Sequence, residues 1–273
     1  MRILHSAHWH TSVSDSGPES LTGHTLLLST DLECSVFLRV NKKTFNIESA
    51  VWKVFRSPGS PVSREIKNFR GIEAYLGSGP TLKKAAAESG SEEALPLVNE
   101  TVRGIIQAET FVFKERGFND SQAYDQYWNT MYANSCRYYS NLNKVKVRWE
   151  EYISGQNRFG ILYNKFKCFS AYENGQFIEA RGQMSDSFHE VSIISGMDKE
   201  TGEVRTLDCR LVRGPDPVCF EAGSLGKKLV GKKISAMSKK EMARELGGGQ
   251  GCIHIIDTWH DLARILKEVR QSL

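Results

Sequence analysis

Between residues 188 and 195 the chain alternates its side chains so that His189, Val191 and Ile193 share one face, the pattern of a half-buried strand. The stretch 32–38 repeats it with Leu32, Cys34, Val36 and Leu38. Downstream of each lies a second alternating run. Leu207, Cys209 and Leu211 face inward in one, and Ala50, Trp52 and Val54 in the other. "SGMDKETGE" and the shorter "NKKT" (41–44) separate the paired runs and read as hairpin turns. Periodicity then changes to that of helices, predicted at 219–230, 238–246 and 252–270. Ser238 is placed to cap the middle one, with Glu241 three residues on completing a capping box. The last carries the apolar stripe 252, 255, 259, 262, 266.

The two hairpins are offset by 157 residues, and the sequences around them match at that shift. "IESAVWKVFRSP" (47–58) falls on "VRTLDCRLVRGP" (204–215), and after a one-residue slip "PVSRE" (61–65) falls on "PVCFE" (217–221). "TLKKAAAESG" (81–90) falls on "SKKEMARELG" (238–247), and Glu100-Thr101 on Asp257-Thr258. The expected fold is therefore α+β: two tandem copies of a strand-hairpin plus helices unit, related by a pseudo-twofold. Residues 1–113 would form the first copy, 114–157 an aromatic helical connector and 158–273 the second copy. A copy of that size buries too little surface alone and needs its partner.

The copies differ where chemistry would lie. His189 falls on Leu32, Cys219 on Ser63, Cys252 on Leu95 and His254 on Leu97. Four residues able to bind a soft metal thus occur in the second copy alone, the arrangement expected if one copy holds a site and the other is scaffold. Cys219 follows "GPDP" and Cys252 follows "GGGQG", so both should begin helices, where free backbone N–H groups favour a thiolate. Asp257 and Thr258, three and four residues beyond His254, are positioned to orient its ring. Against this, Cys252 lies on the core stripe, and a buried cysteine is ordinarily packing. The glycines of "GGGQG" follow a predicted helix, not a strand, and precede no Lys-Ser/Thr. They fit neither a dinucleotide fingerprint nor a Walker loop and read as a helix stop with a tight turn.

Composition narrows the classes. The chain has 273 residues, 40% hydrophobic and 25% charged, with a net charge of +4 too small and too scattered for a nucleic-acid partner. No run is long and apolar enough for a membrane span, and "MRILHSAHWHTSV" lacks the apolar segment of a secretory signal. Six cysteines without a CxxC pair suit reduced thiols in a cytoplasmic protein. Cys34, Cys136, Cys168 and Cys209 read as packing residues. His5, His8 and His10 form a further candidate, with His8 and His10 on one strand face. The aromatics of 114–157 read as packing, since only "NKVKVR" offers a basic partner for stacked bases.

At "SFHE", "VRGPDPVC", "LVGKKI" and "GCIHIIDTWHDLARIL" the second copy resembles an uncharacterised bacterial family with a strand histidine, a Pro-x-x-Cys and a closing Gly-Cys-Thr-His-Leu signature. The resemblance spans roughly 184–266 and maps onto His189, Cys219, Cys252 and His254, with Ile253 where the signature has Thr. It implies a site and no particular activity. "CFEAGSLGKKLVGKKI" more faintly resembles NifU-type iron–sulfur scaffold proteins, without their Cys-Gly-Asp ligand motif. Three readings follow. The first is a metal or cluster site of His189, Cys219, Cys252 and His254, holding zinc, iron or an iron–sulfur cluster. The second is a cysteine-nucleophile hydrolase or transferase, with Cys252 attacking and His254 or His189 as base. The third is an interaction protein without chemistry. A small-molecule or protein partner and a homodimer stay open.

Overall fold

The computed structural model describes residues 2–273. Mixed helices and a large antiparallel sheet make the fold α+β. The strands are β1 (Arg2–Asp15), β2 (Ser20–Ser29), β3 (Glu33–Asn41), β4 (Ile47–Arg56), β5 (Val62–Glu65), β6 (Ile161–Asn174), β7 (Phe177–Asp186), β8 (Glu190–Asp198) and β9 (Val204–Arg213). They follow the order β5-β4-β3-β2-β1-β6-β7-β8-β9. The helices are α1 (Gly79–Glu88), α2 (Leu95–Ala108), α3 (Ser121–Met131), α4 (Trp149–Tyr152), α5 (Pro217–Phe220), α6 (Lys239–Glu245) and α7 (Ile253–Gln271). None of the described helices is long and apolar enough to cross a membrane.

The chain divides into two compact units along lines that differ from the 1–113, 114–157 and 158–273 split. One unit comprises residues 8–124 and 155–166; the other comprises 2–7, 125–154 and 167–273. In the first, α2 lies on β2 and β3, burying Leu21, Val36, Leu38, Leu97 and Ile105. Thr25 and Thr101 share a buried hydroxyl hydrogen bond of 2.7 Å, and Thr101 Oγ1 donates to the Leu97 carbonyl at 2.8 Å. In the second unit, α7 lies on β7 and β8, burying Ile178, Val191, Ile193, Trp259, Leu262 and Leu266.

Both hairpins fall where alternation placed them, and each unit also contains strands that the sequence pattern did not yield. In the first unit β2 opposes β3 from Ser20 against Asn41 to Leu28 against Glu33. In the second, β7 opposes β8 from Phe177 against Asp198 to Ser185 against Glu190, the same pairs 157 residues on. The next ladders agree too, including bulges between Glu33 and Cys34 and between Arg39 and Val40, and again between Glu190 and Val191 and between Gly196 and Met197. The units diverge after these strands, since β5 continues the sheet where the second unit has α5 and a 3-10 stretch, Glu221–Leu229. Ser238 caps α6 with the expected capping box: its Oγ accepts from Glu241 N, and Ser238 N donates to Glu241 Oε2 at 2.8 Å.

Candidate metal centre

The β7–β8 turn, Asp186-Ser187-Phe188-His189, is built on the Asp186 carboxylate. Its Oδ1 accepts from Phe188 N at 2.7 Å and His189 N at 2.6 Å, an aspartate doing what turns ask of it. Asp186 N donates to the His189 carbonyl at 2.8 Å and closes the turn. From the end of β9, Arg213 donates to the carbonyls of Asp186 at 2.6 Å and His189 at 3.1 Å. His189 thus sits in the turn before its strand, where the sequence had placed it on the strand's inward face. Its Nδ1 lies 3.3 Å from Asp186 Oδ1 and makes no hydrogen bond of good geometry.

His254 meets this turn from the first turn of α7. Its ring stacks on that of His189, centroids 3.9 Å apart and planes at 25°, and its Nε2 is 4.0 Å from Asp186 Oδ2. Asp186, His189 and His254 each offer a ligand atom within 4.8 Å of the others, a spacing suited to one metal ion. The Asp186 side chain is 1% exposed, and those of His189 and His254 are 12% and 20% exposed, so the carboxylate is the most enclosed of the three. Trp149 lies parallel to His189 at 6.4 Å and edge-on to Phe188 at 4.8 Å. The Tyr152 hydroxyl donates to the Phe188 carbonyl at 2.6 Å, holding this aromatic wall against the turn.

Cys252 is the residue before α7, with φ −116° and ψ 121°. Two helical residues that far apart would not face each other. Because Cys252 is extended, its Sγ comes within 3.9 Å of His254 Nδ1, which removes the geometric objection to a Cys252–His254 pair. The two residues expected to orient His254 both make contacts at the start of α7. Thr258 Oγ1 donates to the His254 carbonyl at 2.7 Å, and Asp257 pairs with Lys239 at 2.8 Å.

Cys219 lies in α5, outside the group of three. The capping residue of that helix is Asp216, whose carboxylate accepts from Val218, Lys146 and Val147 N–H groups at 2.7–2.8 Å. Burial works against the charge, but those N–H groups hold the Asp216 carboxyl below the usual range. Burial opposes the expected thiolates. Burial pushes the Cys219 thiol up to about 12, and Cys252 and Cys136 nearby add to the rise. Burial likewise pushes Cys252 up to about 11, outweighing the N–H groups of Ile255 and His254. Desolvation of a buried anion exceeds what one helix start returns.

The glycine stretch delivers Cys252 as a helix stop and a tight turn. Gly247 (φ +95°) ends α6 in the left-handed region, and Gly248–Gln250 form a 3-10 turn. The segment 125–154 of the same unit holds this loop: Arg137 N donates to the Gly251 carbonyl at 2.7 Å and Ser140 Oγ to the Gly249 carbonyl at 2.6 Å. Arg137 Nε also donates to the Val218 carbonyl at 3.1 Å, tying α5 to the same place. Elsewhere, His8 is exposed, while His10 stacks on Phe166 at 4.3 Å and contacts Asn164 Oδ1 at 3.2 Å. Among the described residues, no ligand group includes His5, His8 or His10.

Asp186 was not singled out from the sequence, because an aspartate before "SFH" reads simply as a turn former. Its position three residues before a candidate histidine was the available signal.

Fold and site together define an α+β protein with a two-histidine, one-carboxylate cluster between a hairpin turn and a helix start. Residues 169–267 match a family described as "Protein of unknown function (DUF2889)", a span that contains Asp186, His189, Cys219, Cys252 and His254. No curated protein and no solved structure matches the chain, and the NifU-type likeness gains nothing from these comparisons.

Proposed function

We propose that this protein binds one divalent transition metal, zinc or iron, through Asp186, His189 and His254. The observation that carries the reading is the convergence of their ligand atoms within 4.8 Å around a buried carboxylate. Metal–ligand bonds of about 2.0–2.2 Å lie in the imidazole planes, so binding would turn the stacked rings of His189 and His254 until their lone pairs converge. A cation there would also offset the cost of a carboxylate cut off from water. The set keeps two of the four ligands expected from the sequence and exchanges both sulfurs for one oxygen. An iron–sulfur cluster has less support, because none of these three ligands is a thiolate. Elemental analysis of anaerobically purified protein tests this. About one equivalent of metal is expected, lost in Asp186→Asn and His254→Gln; metal-free protein that takes up neither zinc nor iron would refute it.

A second reading has its own observation. Cys252 and Asp186 flank opposite nitrogens of His254, the order of a nucleophile, base and orienting acid. Burial of Cys252, which favours the thiol over the thiolate, counts against it. Saturable acylation of Cys252 by activated esters, abolished in His254→Gln, would favour it over the metal.

We further propose that the site occupies the second of two duplicated copies. Supporting this, the two hairpin ladders share register and bulges at an offset of 157 residues. Arg56 donates to the carbonyls of Ser29 and Thr30 as Arg213 does to those of Asp186 and Ser187. Thr101 bonds the Leu97 carbonyl as Thr258 bonds that of His254. In this reading Ser29, Leu32, Leu95 and Leu97 stand where the second copy has Asp186, His189, Cys252 and His254, and the pseudo-twofold belongs to the same proposal. An experimental structure in which 20–56 and 95–108 superpose jointly on 177–213 and 252–265 is the expected outcome; different helix placement would end it.

A further inference from the structure

If Asp186, His189 and His254 hold a metal, as proposed above, the arrangement around His254 decides whether protein encloses the ion. The ring presents Nε2 towards Asp186 Oδ2, at 4.0 Å, and Nδ1 towards Cys252 Sγ, at 3.9 Å. Lone pairs on the two imidazole nitrogens diverge across the ring. A metal bound at Nε2 beside the carboxylate therefore has Cys252 behind the ring, well beyond the about 2.3 Å of a zinc–sulfur bond. Metal-binding histidines ordinarily donate their second N–H to a neighbour that fixes the tautomer, and Sγ is the neighbour here. On the other ligand, Oδ1 of Asp186 accepts two backbone N–H groups, and the carboxylate offers the group a single ligand atom. Three single-atom donors fill neither a tetrahedral nor an octahedral shell. Both histidine side chains keep some contact with solvent, His254 more than His189, whose Nδ1 is buried, so an outside ligand would approach from the His254 side.

We propose that the metal centre is open, with Asp186, His189 and His254 as its three protein ligands and Cys252 outside it as the positioning residue that accepts Nδ1–H from His254. The free position takes water or an oxygen-donor anion, the class of ligand that a carboxylate- or hydroxamate-bearing molecule supplies. This is the arrangement of a metal that meets substrate, in contrast to a closed Cys2His2 site whose role is structural.

Cobalt(II) titration of the purified full-length chain tests this. Expected are one equivalent bound, no sulfur-to-cobalt charge-transfer band in the near ultraviolet, and a saturable change in the visible bands on adding acetohydroxamate or azide. Cys252→Ser should keep the same visible bands with cobalt affinity about 10- to 100-fold weaker. Cys219→Ser should retain wild-type affinity. A charge-transfer band present in the wild type and absent from Cys252→Ser would make Cys252 a ligand and overturn the proposal, as would visible bands indifferent to both anions. Those two results would leave the metal reading standing. A chain that binds no cobalt, zinc or iron would overturn both.

Discussion

Gly251→Ala isolates the contribution of the glycine loop, because this residue needs no unusual backbone angle. With φ −93° and ψ −166°, Gly251 is extended, and alanine adopts that conformation freely. The obstacle is contact. A Cβ there would lie 2.0 Å from the Leu246 carbonyl oxygen and 3.2 Å from that of Gly248, both backbone atoms that cannot swing aside. Carbon–oxygen contacts seldom close below about 3.3 Å, so the loop must open by roughly 1.3 Å. That movement strains the Arg137 N–H to Gly251 bond of 2.7 Å, the Gly251 N–H to Gly248 bond of 3.0 Å and the Gln250 N–H to Gly247 bond of 2.9 Å. At about 1 kcal/mol each, the loss is about 3 kcal/mol, or a fall in Tm of roughly 6–12 °C for a unit of this size. Gly248 provides the internal control. It sits at φ +51° with nothing within 4 Å of a Cβ, so Gly248→Ala meets only the left-handed penalty of about 1–2 kcal/mol. Urea denaturation followed by tryptophan fluorescence, together with a metal titration, compares the two. Gly251→Ala should be the less stable and should bind metal more weakly, because Cys252 and the start of α7 move with the loop. Equal stability of the two variants would refute the steric account.

Asp261 pairs with Lys167 at 2.9 Å; burial opposes its charge, but Lys167 and His260 hold its carboxyl far below the usual range. A depressed folded value stabilises above the unfolded carboxylate range, and the benefit fades as pH falls from about 4 towards the folded value. Asp261→Asn should therefore cost about 1.5–3 kcal/mol by urea denaturation at pH 7, with the gap to wild type narrowing in acid; a gap constant down to pH 2 would contradict this. Phe45 is fully buried at φ +57° beneath the Arg116 guanidinium, 4.2 Å from its ring, whereas Gly202 occupies the corresponding turn position at φ +69°. Phe45→Gly should relieve about 1–2 kcal/mol of strain but lose about 3–5 kcal/mol of burial, so a raised Tm would show the strain to be the larger. Burial pushes the Cys34 and Cys209 thiols up to about 12, while Cys168 is exposed. Ellman's reagent at pH 8 should label Cys168 first in the native protein and all six cysteines in urea; rapid labelling of Cys34 or Cys209 would break the burial argument.

The hairpins around 32–54 and 189–211, the Ser238 capping box and the start of the last helix were legible in the sequence. Each depends on spacing along the chain: two residues for a strand, three for a cap, and a glycine beside a helix end. His189, Cys252 and His254 were singled out as candidates as well, through comparison of the chain with itself. Only the tertiary structure brought Asp186 to His254, 68 residues apart in sequence, because its turn-forming role hides the second oxygen that faces the ring. Tertiary structure also put Cys252 on the far nitrogen of His254 and Cys219 outside the group of three. A one-dimensional pattern assigns a residue to a helix start but not the direction its side chain takes there. The thiols show the same division. The N–H groups that favour a thiolate are local and could be read from "GPDPVC" and "GGGQGC", whereas the burial that opposes them is the sum of segments distant in sequence, among them the stretch carrying Cys136.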